Sequence, residues 1–177
     1  MNSKCLYIAL TSIAIPLIVI VLSILLSPWF NIVNNALSDL GHALKSNVAP
    51  LFNFGLSLSG LLIAIAGIHC IINCSKLLGI ITIFLGYSLI TIAVFDEVYG
   101  QLHFLVSVIF FLTILSYLIA YSILKRSFIP IPLVIMCIVL WISHFLYKLP
   151  RGAAIPELIS IASIIPFYIK TSFCKSR

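Results

Sequence analysis

Five long runs of the sequence contain no Asp, Glu, Lys or Arg, and these runs limit the fold more than any other feature. They cover residues 5–38, 46–75, 77–95, 98–124 and 127–147. Each can hold a helix of about 20 residues, which is the length that crosses ~30 Å of hydrocarbon. Only 8% of the 177 residues are charged, whereas soluble domains carry roughly 25%. We therefore expect lipid, not water, to surround the chain.

The runs predict an all-α membrane protein, a compact bundle of six transmembrane helices in one domain that spans residues 1–177. The helices are expected near 7–27, 49–72, 77–95, 102–124, 131–147 and 153–169. The sixth is short, begins near Glu157 and contains Pro166, so it could also tilt, kink or lie partly in the interface. The first resembles a signal peptide after Lys4, but its length and the lack of a cleavage-site pattern favour a retained helix.

Basic residues predict the orientation of this bundle. With six spans both termini share one side, and that side carries seven bases and no acid: Lys4, Lys76, Lys125, Arg126, Lys170, Lys175 and Arg177. The opposite side carries Lys45, Lys148 and Arg151. The positive-inside rule therefore predicts a multi-pass protein of the cell membrane with cytoplasmic N- and C-termini. Nucleic-acid binding is not expected, because it needs a basic face on a soluble domain.

The cysteines agree with this orientation. All five fall in the predicted cytoplasmic half or tail: Cys5, Cys70, Cys74, Cys137 and Cys174. Thiols stay reduced in the cytoplasm. We therefore expect these cysteines to be reduced.

Acids and histidines gather in the loops of the opposite, outer side. The stretches are "NNALSDLGHAL" at 34–44, "VFDEVYGQLHF" at 94–104 and "SHFLYKLPRGAAIPEL" at 143–158. Ionisable groups near a hydrocarbon boundary are costly and usually functional or paired. The ends of neighbouring helices lie roughly 10–20 Å apart, so we predict one outward-facing pocket. Its candidate catalytic residues are Asp39, His42, Asp96, His103, His144 and Glu157.

Further roles follow from this pocket. Ser38, Asn53, Lys148 and Arg151 are candidate binding residues, and Ser38 or Asn35 is expected to cap a short helix that carries Asp39. Glu97 is excluded, because one of two adjacent acids usually faces water. If the pocket holds a metal, the expected ligands are His103, His144 and Asp96. If it is structural, Lys148 and Arg151 should pair with Asp39 and Asp96. The acids could also be merely solvated.

Small residues recur at heptad spacing on the second and third helices. One set comprises Asn53, Ser57, Gly60, Ala64 and Gly67, and the other Gly79, Thr82, Gly86 and Ala93. Such faces let helix backbones approach closely in lipid. The short connection between the two helices favours an antiparallel hairpin.

Four stretches together resemble the domain of unknown function 998 family. They are "NALSDLG" at 35–41, "LFNFGLSLSGLL" at 51–62, "VFDEVYGQLHF" at 94–104 and "AAIPELIS" at 153–160. The resemblance spans most of the chain in the expected order. It implies a multi-pass membrane fold and a shared cluster of outer-loop residues, and it implies no particular reaction.

Four classes of function fit these residues. The favoured hypothesis is a membrane scaffold or accessory protein whose outer loops contact lipid head groups or another membrane protein. A Zn²⁺ ion held by histidines and carboxylates would instead indicate a hydrolase or transferase that acts on lipids. Such a protein would be distantly like the ceramidase and adiponectin-receptor type of membrane hydrolase, although the HxxxH pair of that type is absent. Acids and histidines could also relay cations or protons through a small transporter. Haem on His103 and His144 is the least favoured.

Overall fold

A computed structural model describes residues 3–173, and all of its regular secondary structure is helical. The helices are α1 (Ser3–Leu25), α2 (Ala49–Ala66), α3 (Lys76–Val94), α4 (Gln101–Lys125), α5 (Pro130–Tyr147) and α6 (Ala154–Ser172). Within the described range, six helices are long and apolar enough to cross a membrane, and no strand forms. The all-helical fold and the number of spans are confirmed.

The connections differ at the two ends of the bundle. Residues 26–48, 95–100 and 148–153 connect helices at one end, which we call the long-loop end. The termini end carries two shorter connections, at 72–75 and 126–129. A π-helical segment, Gly67–Ile71, extends α2 up to the first of them. Ser75 caps α3 there by accepting a hydrogen bond from the Leu78 amide at 3.4 Å, as expected of a helix N-cap.

The predicted contact between the small-residue faces of α2 and α3 is confirmed. A Cβ atom added to Gly60 would lie 2.5 Å from the Gly86 carbonyl oxygen, and one added to Gly86 would lie 2.7 Å from the Ala64 amide nitrogen. The two backbones therefore touch where neither residue has a side chain. In lipid, where apolar burial does not drive helices together, such close packing holds the pair.

Buried hydroxyl groups join α1 to α2 and α6. Ser12 Oγ lies 3.0 Å from the Tyr168 hydroxyl, and Ser59 Oγ donates to the Ser12 carbonyl oxygen at 2.6 Å. Ser12 and Ser59 are fully buried. Because buried polar groups need partners, these bonds fix how the three helices stand beside one another.

One expectation about the cysteines is wrong. Cys5 of α1 and Cys70 of the π-helical segment form a disulfide across 65 residues of sequence, although both were expected to be reduced. The two half-cystines lie at the termini end, where α1 and α2 run close together. Cys137 is buried near Ser163, and Cys174 lies outside the described residues. The side of the membrane that the termini face stays a prediction.

Candidate functional site

A cavity of about 550 Å³ lies between α4 and α5 at the long-loop end. Its polar wall comes from the first two loops and from the adjoining ends of α4, α5 and α6: Ser38, His42, Lys45, Glu97, His103, Ser107, His144 and Glu157. Most of the remaining wall is aromatic or aliphatic: Phe104, Val108, Phe111, Leu112, Leu115, Ile138, Trp141, Ile142 and Phe145. The rings of Phe111 and Trp141 pack 4.8 Å apart across the two helices. The cavity therefore has one polar end and a long apolar flank.

The structure brings some of the predicted site residues into this cavity and leaves others behind its wall. The cavity is lined by Ser38, His42, His103, His144 and Glu157. The residues outside its lining are Asp39, Asn53, Asp96, Lys148 and Arg151. Residues from three separate polar stretches of the sequence thus do meet at one surface, but not in the combination that was expected.

Asp39 stabilises the turn that carries it. The segment Leu37–Gly41 is a 3₁₀ helix, and Asp39 Oδ2 accepts hydrogen bonds of 2.9 Å from the Ala36 amide and from Asn35 Nδ2. The first amides of a helix lack intrahelical partners, and this carboxylate supplies one. Ala36, not Ser38 or Asn35, occupies the cap position.

Asn53 holds the same turn from α2. Its Nδ2 donates a hydrogen bond of 2.9 Å to the Gly41 carbonyl oxygen. The carbonyl at the end of a short helix has no partner within that helix, so the amide of Asn53 satisfies it. The structure therefore gives Asn53 a role in positioning the turn, where a binding role was expected.

Asp96 is turned away from the cavity by a similar local rule. Its Oδ1 accepts a hydrogen bond of 2.9 Å from the Val98 amide, and its Oδ2 one of 3.3 Å from the Ala43 amide. Asp is among the preferred N-cap residues, and here it caps the 3₁₀ turn Glu97–Tyr99. One carboxylate oxygen thus caps the turn of the second loop, and the other joins that loop to the first.

Glu97 takes the place in the cavity wall that was assigned to Asp96, so the expectation that Glu97 faces water is wrong. Its Oε1 accepts a hydrogen bond of 2.7 Å from Ser38 Oγ. Burial raises the pKa of Glu97 to about 7, and a hydrogen bond with Asp39 adds to that effect, while Ser38 and Lys45 oppose it. A carboxyl group with this pKa can either give or take a proton near neutral pH.

Glu157 joins the last helix to the first loop. It is buried, and its Oε2 accepts a hydrogen bond of 2.7 Å from the Leu37 amide. Beside this contact the two backbones also pair, with Gly152 N donating to Val33 O at 2.8 Å and Ala154 N to Asn35 O at 3.0 Å. These bonds close the polar end of the cavity.

The three histidines of the cavity differ in which ring nitrogen carries the proton. Nδ1 of His103 lies 2.7 Å from the Phe95 carbonyl oxygen, and Nδ1 of His144 lies 2.9 Å from the Pro150 carbonyl oxygen. A carbonyl can only accept, so both Nδ1 atoms donate and each neutral ring keeps Nε2 as an acceptor. His42 is reversed, because its Nδ1 accepts from the Leu44 amide at 3.3 Å.

The predicted pairing of Lys148 and Arg151 with Asp39 and Asp96 is wrong. Both basic side chains are exposed. The hydrogen bonds to Asp96 come from uncharged amide groups, and those to Asp39 come from amide groups and from Glu97. Lys45 is instead the base whose charge acts on a carboxylate of the cavity, that of Glu97. The carboxylates are thus held mainly by neutral donors.

A family model described as "Protein of unknown function (DUF998)" matches residues 11–170. The chain belongs to this family. The resemblance seen in the sequence is confirmed. No curated protein and no solved structure matches the chain. Together with the six apolar helices, the match identifies a membrane protein.

The stretches that carry the DUF998 resemblance converge on the polar end of the cavity. "NALSDLG" supplies Ser38, "VFDEVYGQLHF" supplies Glu97 and His103, and "AAIPELIS" supplies Glu157. "LFNFGLSLSGLL" contributes Asn53, which holds the first of these stretches in place. Most of the apolar wall from α4 and α5 lies outside all four stretches. In this DUF998 member, the segments that carry the resemblance therefore lie at the polar end of the cavity and not along most of its apolar wall.

The metal site expected from His103, His144 and Asp96 is not assembled. Across residues 3–173, no group of three or more His, Cys, Asp or Glu side chains is arranged to hold a metal ion. The reason is that Asp96 is committed to the amides of Val98 in its own turn and of Ala43 in the first loop. The two histidines do line the same cavity, but the third predicted ligand is turned away from it.

Three residues of the polar wall were missed from the sequence: Lys45, Glu97 and Ser107. The preference of Asp for N-cap positions was a partial signal that backbone amides would hold Asp96, which leaves Glu97 for the wall. Ser107 could have been found by spacing, since it follows His103 by four residues on one helix. Nothing in the sequence pattern singles out Lys45.

Proposed function

We propose that the protein binds an amphiphile of the bilayer, with its polar head at the loops and its apolar chain between α4 and α5. The observation that carries this proposal is the polarity of the cavity, which is polar near Glu97 and Glu157 and apolar along both helices. A lipid has the same order of polarity from head to chain. The proposal develops the hypothesis of an accessory protein that contacts lipid head groups.

The dimensions of the cavity suit one chain of one leaflet. Along α4 its wall runs from His103 to Leu115, which at 1.5 Å per residue is about 18 Å. Half of a ~30 Å hydrocarbon core is ~15 Å. The volume of about 550 Å³ lies within the range of roughly 300–1,000 Å³ that is usual for small-molecule sites.

The flank of the cavity is accessible from the lipid phase. Phe104 and Leu112 of α4 are each 55% exposed and Phe145 of α5 is 45% exposed, although all three line the cavity. The rings of Phe104 and Phe145 meet edge to face at 6.0 Å. In a bilayer, acyl chains would cover these exposed surfaces, so an amphiphile can enter sideways between the helices.

The polar end favours a head group that donates hydrogen bonds. Nε2 of His144 is an acceptor in the neutral ring, and the carboxylates of Glu97 and Glu157 add more acceptor atoms. Lys45 and Nε2–H of His42 are the donors that balance them. A hydroxylated head group can donate hydrogen bonds to these acceptors, whereas a phosphodiester has no hydrogen to donate and would meet like charge when Glu97 is ionised. The preferred ligand is therefore a neutral lipid with free hydroxyl groups.

Photo-crosslinking tests this proposal directly. The probe is a monoacylglycerol with a diazirine in its acyl chain and a terminal alkyne, added to membranes that contain the full-length protein. We expect saturable crosslinks on peptides of α4 and α5, displaced by unmodified monoacylglycerol. Val108→Trp fills the apolar wall and should weaken crosslinking by about tenfold, a loss of ~1.4 kcal/mol.

The matched control is Ile119→Trp. Ile119 lies on the same helix, is 42% exposed and is not part of the cavity wall, so this substitution should leave crosslinking unchanged. Equal crosslinking in the two variants would contradict the proposal. Crosslinks spread evenly over all six helices would contradict it as well, because they would report only the surrounding bilayer.

A further inference from the structure

We propose that Ser107 and His103 form a nucleophile and general-base pair that cleaves an ester bond of the bound amphiphile. Ser107 Oγ lies 3.3 Å from His103 Nε2, and both residues line the cavity. The inference rests on the proposed function, since the cavity must first hold an ester lipid. It gives this site an acyl-transfer chemistry that needs no metal ligand set.

The Ser107 hydroxyl, like that of Ser122 near the end of α4, does not bond back to a carbonyl of the preceding turn. Thr113 and Ser116, also on α4, each donate a hydrogen bond to the carbonyl one turn earlier, at 2.7 and 2.8 Å. That arrangement is common for hydroxyl groups inside helices. Ser107 instead points its hydroxyl at the imidazole one turn earlier. It therefore lies where a base can take its proton.

His103 is oriented for that task by a third group. Its Nδ1 donates to the Phe95 carbonyl oxygen at 2.7 Å, so the neutral ring has its lone pair on Nε2, facing Ser107. Phe95 follows the last residue of α3, where carbonyls lack intrahelical partners. A nucleophile, a base and a group that orients the base are the three parts of an activated serine.

The depth of Ser107 matches the position of an ester in a lipid. Ser107 lies one helical turn beyond His103 along α4, about 6 Å further from the start of the helix. It lies between the polar end and the apolar flank formed by residues such as Phe111 and Leu115. In an acylglycerol the ester likewise joins the hydroxylated head to the chain. The bound ester would thus lie beside the hydroxyl group.

The reaction balances without an oxidant or a metal. Ser107 Oγ attacks the ester carbonyl carbon as its proton moves to His103 Nε2. The bond to the alcohol oxygen then breaks, and the alcohol leaves with that proton. Water next attacks the acyl-serine and passes a proton to His103, which returns it to Ser107 as the carboxylic acid departs. His42 Nε2–H and Lys45 are the donors on the wall available for the negative charge on the carbonyl oxygen.

The experiment uses a fluorophosphonate with an alkyne tag on the protein in its membrane, followed by peptide mass spectrometry. We expect covalent modification at Ser107 and release of fatty acid from monoacylglycerol. Ser107→Ala should abolish both, and His103→Gln should slow both by about 10²–10⁴-fold. The matched control is Ser116→Ala, on the exposed face of the same helix, which should change neither.

This result separates the two proposals. If the wild-type protein crosslinks the monoacylglycerol probe but Ser107 is not modified and no fatty acid appears, the nucleophile assignment is wrong and the binding proposal stands. If crosslinking is also absent, the binding proposal is wrong, and so is the nucleophile assignment that rests on it. Modification of Ser116 or another serine at the same rate as Ser107 would also overturn the assignment, because it would show no activation at this position.

Discussion

The backbone amide of Leu37 donates a 2.7 Å hydrogen bond to Glu157 Oε2 across 120 residues of sequence. Both residues are buried, at 4% and 8% exposure. This bond joins the first loop to the last helix beside the cavity. A buried amide that loses its acceptor leaves its full desolvation penalty uncompensated. Removing the Glu157 acceptor therefore tests how much this bond stabilises the polar end.

We expect Glu157→Ala to destabilise the protein by about 1–3 kcal/mol. Glu157→Gln keeps an amide oxygen that can accept from Leu37, and it should cost markedly less. The measurement is the melting temperature of each purified variant in the same detergent, where 1 kcal/mol corresponds to ~2–4 °C for a chain of this size. Equal melting temperatures for the Ala and Gln variants would show that the bond contributes nothing.

Gly152 should not tolerate a side chain. A Cβ atom there would collide with the backbone of Asn34 and Asn35, which cannot move aside as a flexible side chain could. We expect Gly152→Ala to break the pairing of the first and last loops and lower stability by about 1–3 kcal/mol. Gly100→Ala tests a different cost, because that site has open space but its φ of 53° and ψ of −110° form a conformation that L side chains avoid. A melting temperature for Gly152→Ala equal to that of the wild type would contradict the expected collision.

The raised pKa of Glu97 predicts a stability that depends on pH. Burial and Asp39 raise this pKa from 4.5 to about 7, so between these values the folded protein binds more protons than the unfolded chain. The contribution of Glu97 to the free energy of unfolding must therefore fall as pH rises through that window. Because Glu97 is only partly buried and screened by solvent, the effect is on the order of 1 kcal/mol.

Glu97→Gln removes this titration while keeping an acceptor for Ser38. We expect the variant to melt above the wild type at pH 8 and to lose that advantage at pH 5, where the wild-type carboxyl is protonated. Melting curves at both pH values make the comparison, with pH 5 as the internal control. A constant difference between the two proteins across this range would mean that Glu97 does not titrate there.

The orientation of the bundle is open to a labelling test. The positive-inside rule predicts that the long-loop end faces outward. We therefore expect Leu44→Cys, at a position 81% exposed in the first loop, to react with an impermeant maleimide on intact cells. Lys125→Cys, exposed at the termini end, should react only after the cells are opened. The reverse pattern would overturn the predicted side of both termini.

The disulfide adds a second readout at the termini end. Disulfides persist in oxidising compartments and are rare in the cytoplasm, so the Cys5–Cys70 bond and the basic residues favour opposite orientations of that end. Alkylation of the denatured protein before and after reduction should reveal two protected thiols, which Cys70→Ser removes. Full alkylation without reductant would show that the bond does not form in the cell.

The sequence alone determined the class of the fold. Charge-free runs such as 77–95 predict membrane-length helices because, in lipid, each segment must satisfy its own backbone hydrogen bonds, so the length and composition of a segment decide its structure locally. The close contact of Gly60 with Gly86 follows from the same local pattern. The gathering of histidines at one end follows from the alternation of helix direction, which depends only on the number of spans.

Tertiary structure decided which side chains reach the cavity. Whether Asp96 or Glu97 lines the wall depends on which carboxylate finds an orphan amide nearby, and the amide of Ala43 comes from another loop. The disulfide from Cys5 to Cys70 and the bond from Leu37 to Glu157 each join positions at least 65 residues apart. Charge and periodicity describe neighbours along the chain, whereas these contacts arise only when distant segments pack together.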